Sequence, residues 1–237
     1  MTNVSKIYKF VNNEPGLVIT FDKKRYLVIS DIHLGLTYHL EYKGVNVPNQ
    51  TEDVLDYIVK LKKKTRVHSL IIVGDLKHAL PGTPHDERKD VREFLESLKK
   101  EFKELILVKG NHDTLIEEIV PWLHVEPYLL LGKVLFVHGH RNLPKDVEYD
   151  TVVIGHNHPV IKFKDRMGGV YYQRCWLISN SLIVMPGFNV LSGGKAVNDG
   201  FSFLGPIAKT IDPEKIKAVL LDGTDLGILK DLEIKRD

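Results

Sequence analysis

The 237-residue chain predicts an α/β fold in which a strand–helix–strand alternation is followed by a β-rich second half, the two giving sheets packed face to face. Three observations carry this expectation. Short β-branched runs bounded by polar turns alternate with amphipathic stretches up to about Tyr128, and strand-like runs then follow one another with little room for helices. No Gly/Ser/Pro linker or shift of composition divides the halves, so residues 1–237 read as one domain.

The elements follow in order. Leu17-Val18-Ile19, entered from the turn at Pro15-Gly16, and Tyr26-Leu27-Val28-Ile29 are too short for helices and read as buried strands. Thr51-Glu52-Asp53 starts a helix carrying Val54, Leu55, Ile58, Val59 and Leu61 at helical spacing. Leu70-Ile71-Ile72-Val73 is the next strand, Val91, Phe94, Leu95 and Leu98 form a second helical stripe, and Leu105-Ile106-Leu107-Val108 is a strand again. Such alternation predicts right-handed crossovers and a largely parallel sheet. Later strands are expected at 128–131, 133–137, 151–154, 160–163, 171–178 and 181–185, with a last pair from 216–219 onward around the hairpin dipeptide Asp222-Gly223.

Composition limits the function. With 33 Lys plus Arg against 31 Asp plus Glu the formal charge is +2, which argues against a dedicated polyanion binder, and 43% hydrophobic residues exclude disorder. The basic run 60–64 closes the first helix, where cations complement the helix dipole. The single cysteine, Cys175, cannot form an internal disulfide and reads as a small buried hydrophobe. With no secretory signal and no apolar run near eighteen residues, a cytoplasmic protein without a membrane span is expected.

The 11 histidines are the departure, since about 2% usage would give roughly five. Six of them fall where strands end: Asp31-Ile32-His33, Gly74-Asp75, Gly110-Asn111-His112-Asp113, His138-Gly139-His140 and Gly155-His156-Asn157-His158 each follow a strand. Ligands of open α/β sheets bind at that carboxyl edge, so the five loops should converge. Singly, each is an ordinary turn, and Asp113 could cap a helix begun by Thr114-Leu115; jointly they read as a metal site. Imidazole, carboxylate and amide donors without cysteine suit ions such as Mn²⁺, Fe²⁺ or Zn²⁺. Seven candidates (Asp31, His33, Asp75, Asn111, His138, His156 and His158) exceed one tetrahedral ion and fit two metals sharing a carboxylate. Two dications against two carboxylates leave the site cationic, which favours a phosphate substrate.

These five motifs resemble those of the calcineurin-like metallophosphoesterase superfamily over about residues 25–160. The resemblance implies a four-layered α/β/β/α sandwich of two mixed sheets flanked by helices, and phosphoester hydrolysis by metal-activated hydroxide. It would place Asp31, His33 and His158 on a first metal, Asn111, His138 and His156 on a second, and Asp75 between them. His112 would protonate the leaving oxygen or stabilise the transition state, with Asp113 orienting it. Manganese is the expected ion, with iron, zinc, nickel or magnesium as alternatives. Asp31-Ile32-His33-Leu34-Gly35, Gly74-Asp75-Leu76-Lys77-His78, Met185-Pro186-Gly187-Phe188-Asn189 and Gly193-Gly194 extend the likeness to about residue 200, toward archaeal and ligase-associated phosphoesterases related to double-strand-break repair nucleases.

The expected activity is therefore phosphodiester hydrolysis on nucleotide or nucleic-acid-end substrates, against a phosphomonoesterase with the same site or a non-catalytic scaffold. His78 is a candidate for substrate contact; Arg141 could face a phosphate but reads first as a solvated surface residue; His140 reads either as a supporting or substrate-contacting residue or as a plain loop residue; and His39, His68, His85 and His124 carry no signal. Selectivity is expected in loops 36–50 and 77–90.

Overall fold

The computed structural model describes residues 7–79 and 85–234, so that positions 80–84 of the expected selectivity loop lie outside the described residues. The first sheet has six strands among these residues. Strands β1 (Tyr8–Phe10), β2 (Leu17–Phe21) and β3 (Lys24–Ile29) form an antiparallel meander; β4 (Ser69–Val73), β5 (Glu104–Val108) and β6 (His124–Glu126) then add in parallel, in sequence order. Helix α1 (Leu36–Tyr42) and helix α2 (Thr51–Thr65) connect β3 to β4, α3 (His85–Glu101) connects β4 to β5, and the short α4 (Ile116–Ile119) leads into β6. Strands added one after another in a single direction, each through a right-handed crossover, put every helix on the same face. That face is one core: Val54, Ile58 and Leu61 of α2 and Val91, Phe94, Leu95 and Leu98 of α3 pack over Leu27, Ile29, Leu70, Ile72 and Leu107.

The opposite face is left for a second sheet. It runs from the hairpin β7 (Leu129–Leu131)–β8 (Val134–Val137) through β9 (Thr151–Ile154) and β12 (Leu182–Val184) to β11 (Val170–Ile178), β10 (Pro159–Lys164) and β13 (Lys195–Ala196). A hairpin of β14 (Lys217–Leu220) and β15 (Asp225–Ile228) pairs with the end of β11, as the dipeptide Asp222-Gly223 suggested. Strands β8, β9 and β12 are parallel neighbours in an otherwise mixed sheet. Side chains alternate by the period of two: Val134, Phe136 and Val153 face the first sheet with Trp176 and Met185, whereas Leu135, Val137, Val152 and Ile154 face outward.

The four layers are present, but the fourth is thin. The outward face of the second sheet is covered by α5 (Gly205–Ala208), a 3₁₀ turn at Leu229–Leu232 and coil carrying Val197 and Phe203, not by long helices. The late, helix-poor texture of the sequence has this consequence. The basic end of α2 is tied locally, Lys62 to Glu101 and Lys64 to Glu14, each at 2.8 Å. Cys175 is fully buried in β11. Among the described residues no helix is long and apolar enough to cross a membrane.

Candidate metal centre

The carboxyl ends of β3, β4 and β5 in one sheet and of β8 and β9 in the other meet at one edge of the sandwich. The period of two that faces Phe136 toward the first sheet also faces His138 there, and its Nδ1 lies 3.2 Å from the carbonyl of Val73 at the end of β4. From the other direction, both carboxylate oxygens of Asp31 accept the His156 N–H, at 3.1 and 3.2 Å. The sheets are thus stitched together by the site residues themselves.

Small residues make the convergence possible. Gly74 has φ +78°, and a Cβ there would sit 2.1 Å from the His138 ring; one on Gly110 would lie 2.2 Å from Asp75 Oδ1. In each case the glycine preceding one candidate ligand leaves the space occupied by another. Backbone strain is concentrated at the same place: Asp31, His33, Asp75, His156 and His158 all have positive φ, between 41° and 67°. Each such residue costs on the order of 1–2 kcal/mol, so the surrounding fold holds them in place.

Among the described residues three groups of ligand atoms have their donors within 4.8 Å of one another: Asp31, His33 and His158; Asp75, His138 and His156; and an all-imidazole group of His33, His78 and His112. The first two contain the carboxylates. In the first, His158 Nε2 is 3.2 Å from Asp31 Oδ1 and 3.4 Å from His33 Nε2. In the second, His138 Nε2 is 3.2 Å from Asp75 Oδ2, which also lies 3.8 Å from His33 Nε2 in the first group. Asp75 therefore stands between the two. Asn111 shares a loop with His112, whose backbone N–H donates to Asp75 Oδ1 at 3.0 Å.

The chemistry of these atoms fits cations. Among the described residues, the buried side-chain atoms without a hydrogen-bond partner are Asn111 Oδ1, Thr114 Oγ1, His138 Nε2 and His140 Nδ1. All four lie in or beside the motif loops, where buried polar atoms of this kind take an ion or an ordered water as partner. Burial pushes His33 down to about 3, and burial with the neighbouring His138 pushes His140 and His156 down to about 4, so these imidazoles are neutral donors at neutral pH. Burial would lower His138 as well, but the Asp75 and Asp31 carboxylates beside it raise it to about 9. Burial opposes charge on both carboxylates, yet His158 holds Asp31, and His138 holds Asp75, below the usual range.

His112 is placed differently from the expectation. Its Nδ1 meets the carbonyl of His78 at 2.5 Å, which requires the proton on Nδ1 and leaves Nε2, 3.9 Å from Asp75 Oδ2, facing the cluster. A backbone carbonyl, and not Asp113, is its hydrogen-bond partner. Nor does Asp113 cap a helix, since α4 begins at Ile116 with Leu115 before it. The fully buried carboxylate instead accepts from the N–H groups of Leu76 and Gly110, both at 2.8 Å, tying the β4 and β5 loops together. Burial, then the charge of Asp75, raises it to about 6.

Other residues around the cluster carried no signal or an ambiguous one. The segment after β12, without a ligand of its own, buttresses the first group: Phe188 N–H donates to Ser30 O at 2.9 Å, Asn189 Nδ2 to Ile32 O at 3.0 Å, and Ser192 Oγ lies 3.1 Å from His158 Nδ1. Gly194 lies against β10, where a Cβ would sit 2.3 Å from Val160. His78 packs between His112 and His39, and its Nδ1 is 3.4 Å from His33 Nδ1. Glu87 of α3, buried, holds the His78 and Ala79 N–H groups at 3.0 and 2.8 Å. A charged residue on the buried face of an amphipathic helix was the available sign of it.

The solved nuclease MPE of Pseudomonas putida is similar with a TM-score of 0.60 and 22% identity, over 92% of this chain and all of that one, a likeness of fold. Yfce, a phosphoesterase from E. coli, aligns with a TM-score of 0.41 and 19% identity over 85% and 96% of the two chains. The serine/threonine-protein phosphatase CPPED1 of Mus musculus is 35% identical over 65 residues, which is 27% of this chain and only 20% of the length of that relative. A family model matches residues 24–191, spanning all five motif loops, and the chain belongs to the calcineurin-like phosphoesterase family.

Proposed function

We propose that the protein is a phosphodiesterase with a two-cation site, acting on nucleotide or nucleic-acid-end substrates. The observation that carries this reading is the pair of ligand groups, Asp31/His33/His158 and Asp75/His138/His156, with Asp75 Oδ2 within 3.8 Å of a nitrogen from each. Asn111, whose buried Oδ1 has no partner, would be the further ligand of the second group. Bound divalent cations, manganese by preference, would supply Lewis-acid polarisation of the phosphoryl group and an acidified water. The chain's own residues do the rest. Asp31 and Asp75 stay ionised and offset the charge of the cations; His33 and His156 stay neutral and offer lone pairs; His112, held at Nδ1–H by the His78 carbonyl, faces the cluster with Nε2, which in the imidazolium form carries the second proton and gives it to the leaving oxygen. Asp113 acts by fixing the β4 and β5 loops, and so the positions of Asp75 and Asn111.

The test compares bis-p-nitrophenyl phosphate with p-nitrophenyl phosphate in Mn²⁺, alongside metal content. Two metals per chain and preference for the diester support the reading; preference for the monoester would make the protein a phosphomonoesterase, and metal binding without hydrolysis of either a scaffold. That the similar P. putida fold is a nuclease is in keeping with a diester substrate. A cytosolic location accords with one unpaired, buried cysteine.

A further inference from the structure

Beside the second ligand group lies a pocket that the chemistry above leaves without a task. It has a volume of about 220 Å³ and is walled by the ends of β5 and β8 and the chain entering β7, with His138 and His140 on its inner side. This is smaller than the roughly 300–1,000 Å³ of a whole small-molecule site, so it admits one part of a substrate, of the size of a single ring system. Val125, Pro127, Val137 and Pro144 give it apolar walls, and Tyr128, 37% exposed, supplies an aromatic ring.

Its charges nearly cancel. Lys109 Nζ is bonded to both carboxylate oxygens of Glu117, at 2.5 and 2.8 Å, and Glu126 is bonded to His124 at 2.8 Å. Arg141 is left as the one cation of this wall with no ion pair among the described residues. A phosphate enclosed within the pocket would want more net charge than this, a sugar more hydrogen-bonding groups, and an acyl chain a longer groove. A planar heteroaromatic ring, with a phosphate at its rim, matches an apolar slot with one aromatic face and one free guanidinium.

We infer that this pocket receives a nucleobase of the substrate, stacked on Tyr128, while the attached phosphate lies at the Asn111–His138 side of the cluster and Arg141 faces the next phosphate of the strand. The inference rests on the diesterase reading for its phosphate position and adds what that reading lacks, the group next to the phosphate.

The test is binding to the Mn²⁺-loaded protein, followed by calorimetry, of thymidine 5′-monophosphate and of 2-deoxyribose 5-phosphate, which lacks the base. The nucleotide is expected to bind about tenfold tighter. In Tyr128→Ala the two should bind alike, at the weaker affinity, while Tyr128→Phe retains the difference. Equal affinities in the wild type, no detectable nucleotide binding, or a difference that survives Tyr128→Ala would each overturn the inference. A failure of the diesterase reading shows separately, as absent hydrolysis of bis-p-nitrophenyl phosphate.

Discussion

The side chains of His112 and Asp75 approach to 3.9 Å, and the His112 backbone N–H donates to Asp75 at 3.0 Å, yet the two residues are expected to fail in different ways. His112→Ala removes a proton donor whose ring is hydrogen-bonded to a backbone carbonyl; metal content should be unchanged and kcat on a diester should fall by about 10²–10⁴-fold. Asp75→Ala removes the carboxylate between the two ligand groups, and metal analysis should show loss of bound ion as well as activity. Unchanged hydrolysis in His112→Ala would remove the acid role. A third residue offers a control: burial raises the Cys175 thiol far above its ordinary range, so it should resist a thiol reagent in the folded protein and react only on unfolding. The candidate ligands were legible because each motif pairs a strand end with a donor residue type. The tie between His112 and the His78 carbonyl was not, because sequence does not show which backbone acceptor a turn brings within reach.

Glycines decide how closely the loops of different strands approach. Gly74→Ala combines a left-handed backbone, costing about 1–2 kcal/mol, with a Cβ 2.1 Å from the His138 ring. The ring must move, so weaker metal binding and a lower Tm are expected together, read by metal titration and thermal melting; a variant with native metal affinity would show that the loop adapts freely. At this scale the long elements were legible. Helix α2 begins at Thr51 as its acidic first turn suggested, and β3, β4, β5, β8 and β9 lie within about two residues of their apolar runs. The elements without a sequence signature are the short ones: β1 and β6, three residues each, draw their order from pairing with β2 and β5, and α1 buries only Leu36 and Thr37, too little for a stripe. The thin outer layer follows the same rule, since Ile207 and Leu229 are positioned by the sheet beneath them.

The whole molecule should show an optimum of pH when stripped of metal. His33, His140 and His156 are depressed to between about 3 and 4, below their free value near 6.5; the unfolded chain takes up those protons first, so stability falls as pH drops below 6.5. His138 is raised to about 9, so its contribution is full below pH 6.5 and is lost as pH rises to about 9. Melting in chelator across pH 5–9 should therefore give a maximum near 6.5, and His138→Asn should reduce the decline on the alkaline side, leaving the part contributed by His158, which burial would lower but Asp31 raises. Saturating Mn²⁺ should raise Tm most at high pH, where no proton need leave His138.

Four candidate ligands come from the first sheet and three from the second, and the sheets otherwise meet through the apolar layer around Phe136 and Trp176. Bound ions would therefore work mechanically, as a clasp at one end of a hinge whose leaves are the two sheets. With the clasp open, the leaves stay joined by their apolar faces, but amides near the rim, at Gly110, His112 and His156, should exchange hydrogen by local opening while those of β4 do not. Adding metal should close that difference, so that the rim opens only when the whole sandwich comes apart.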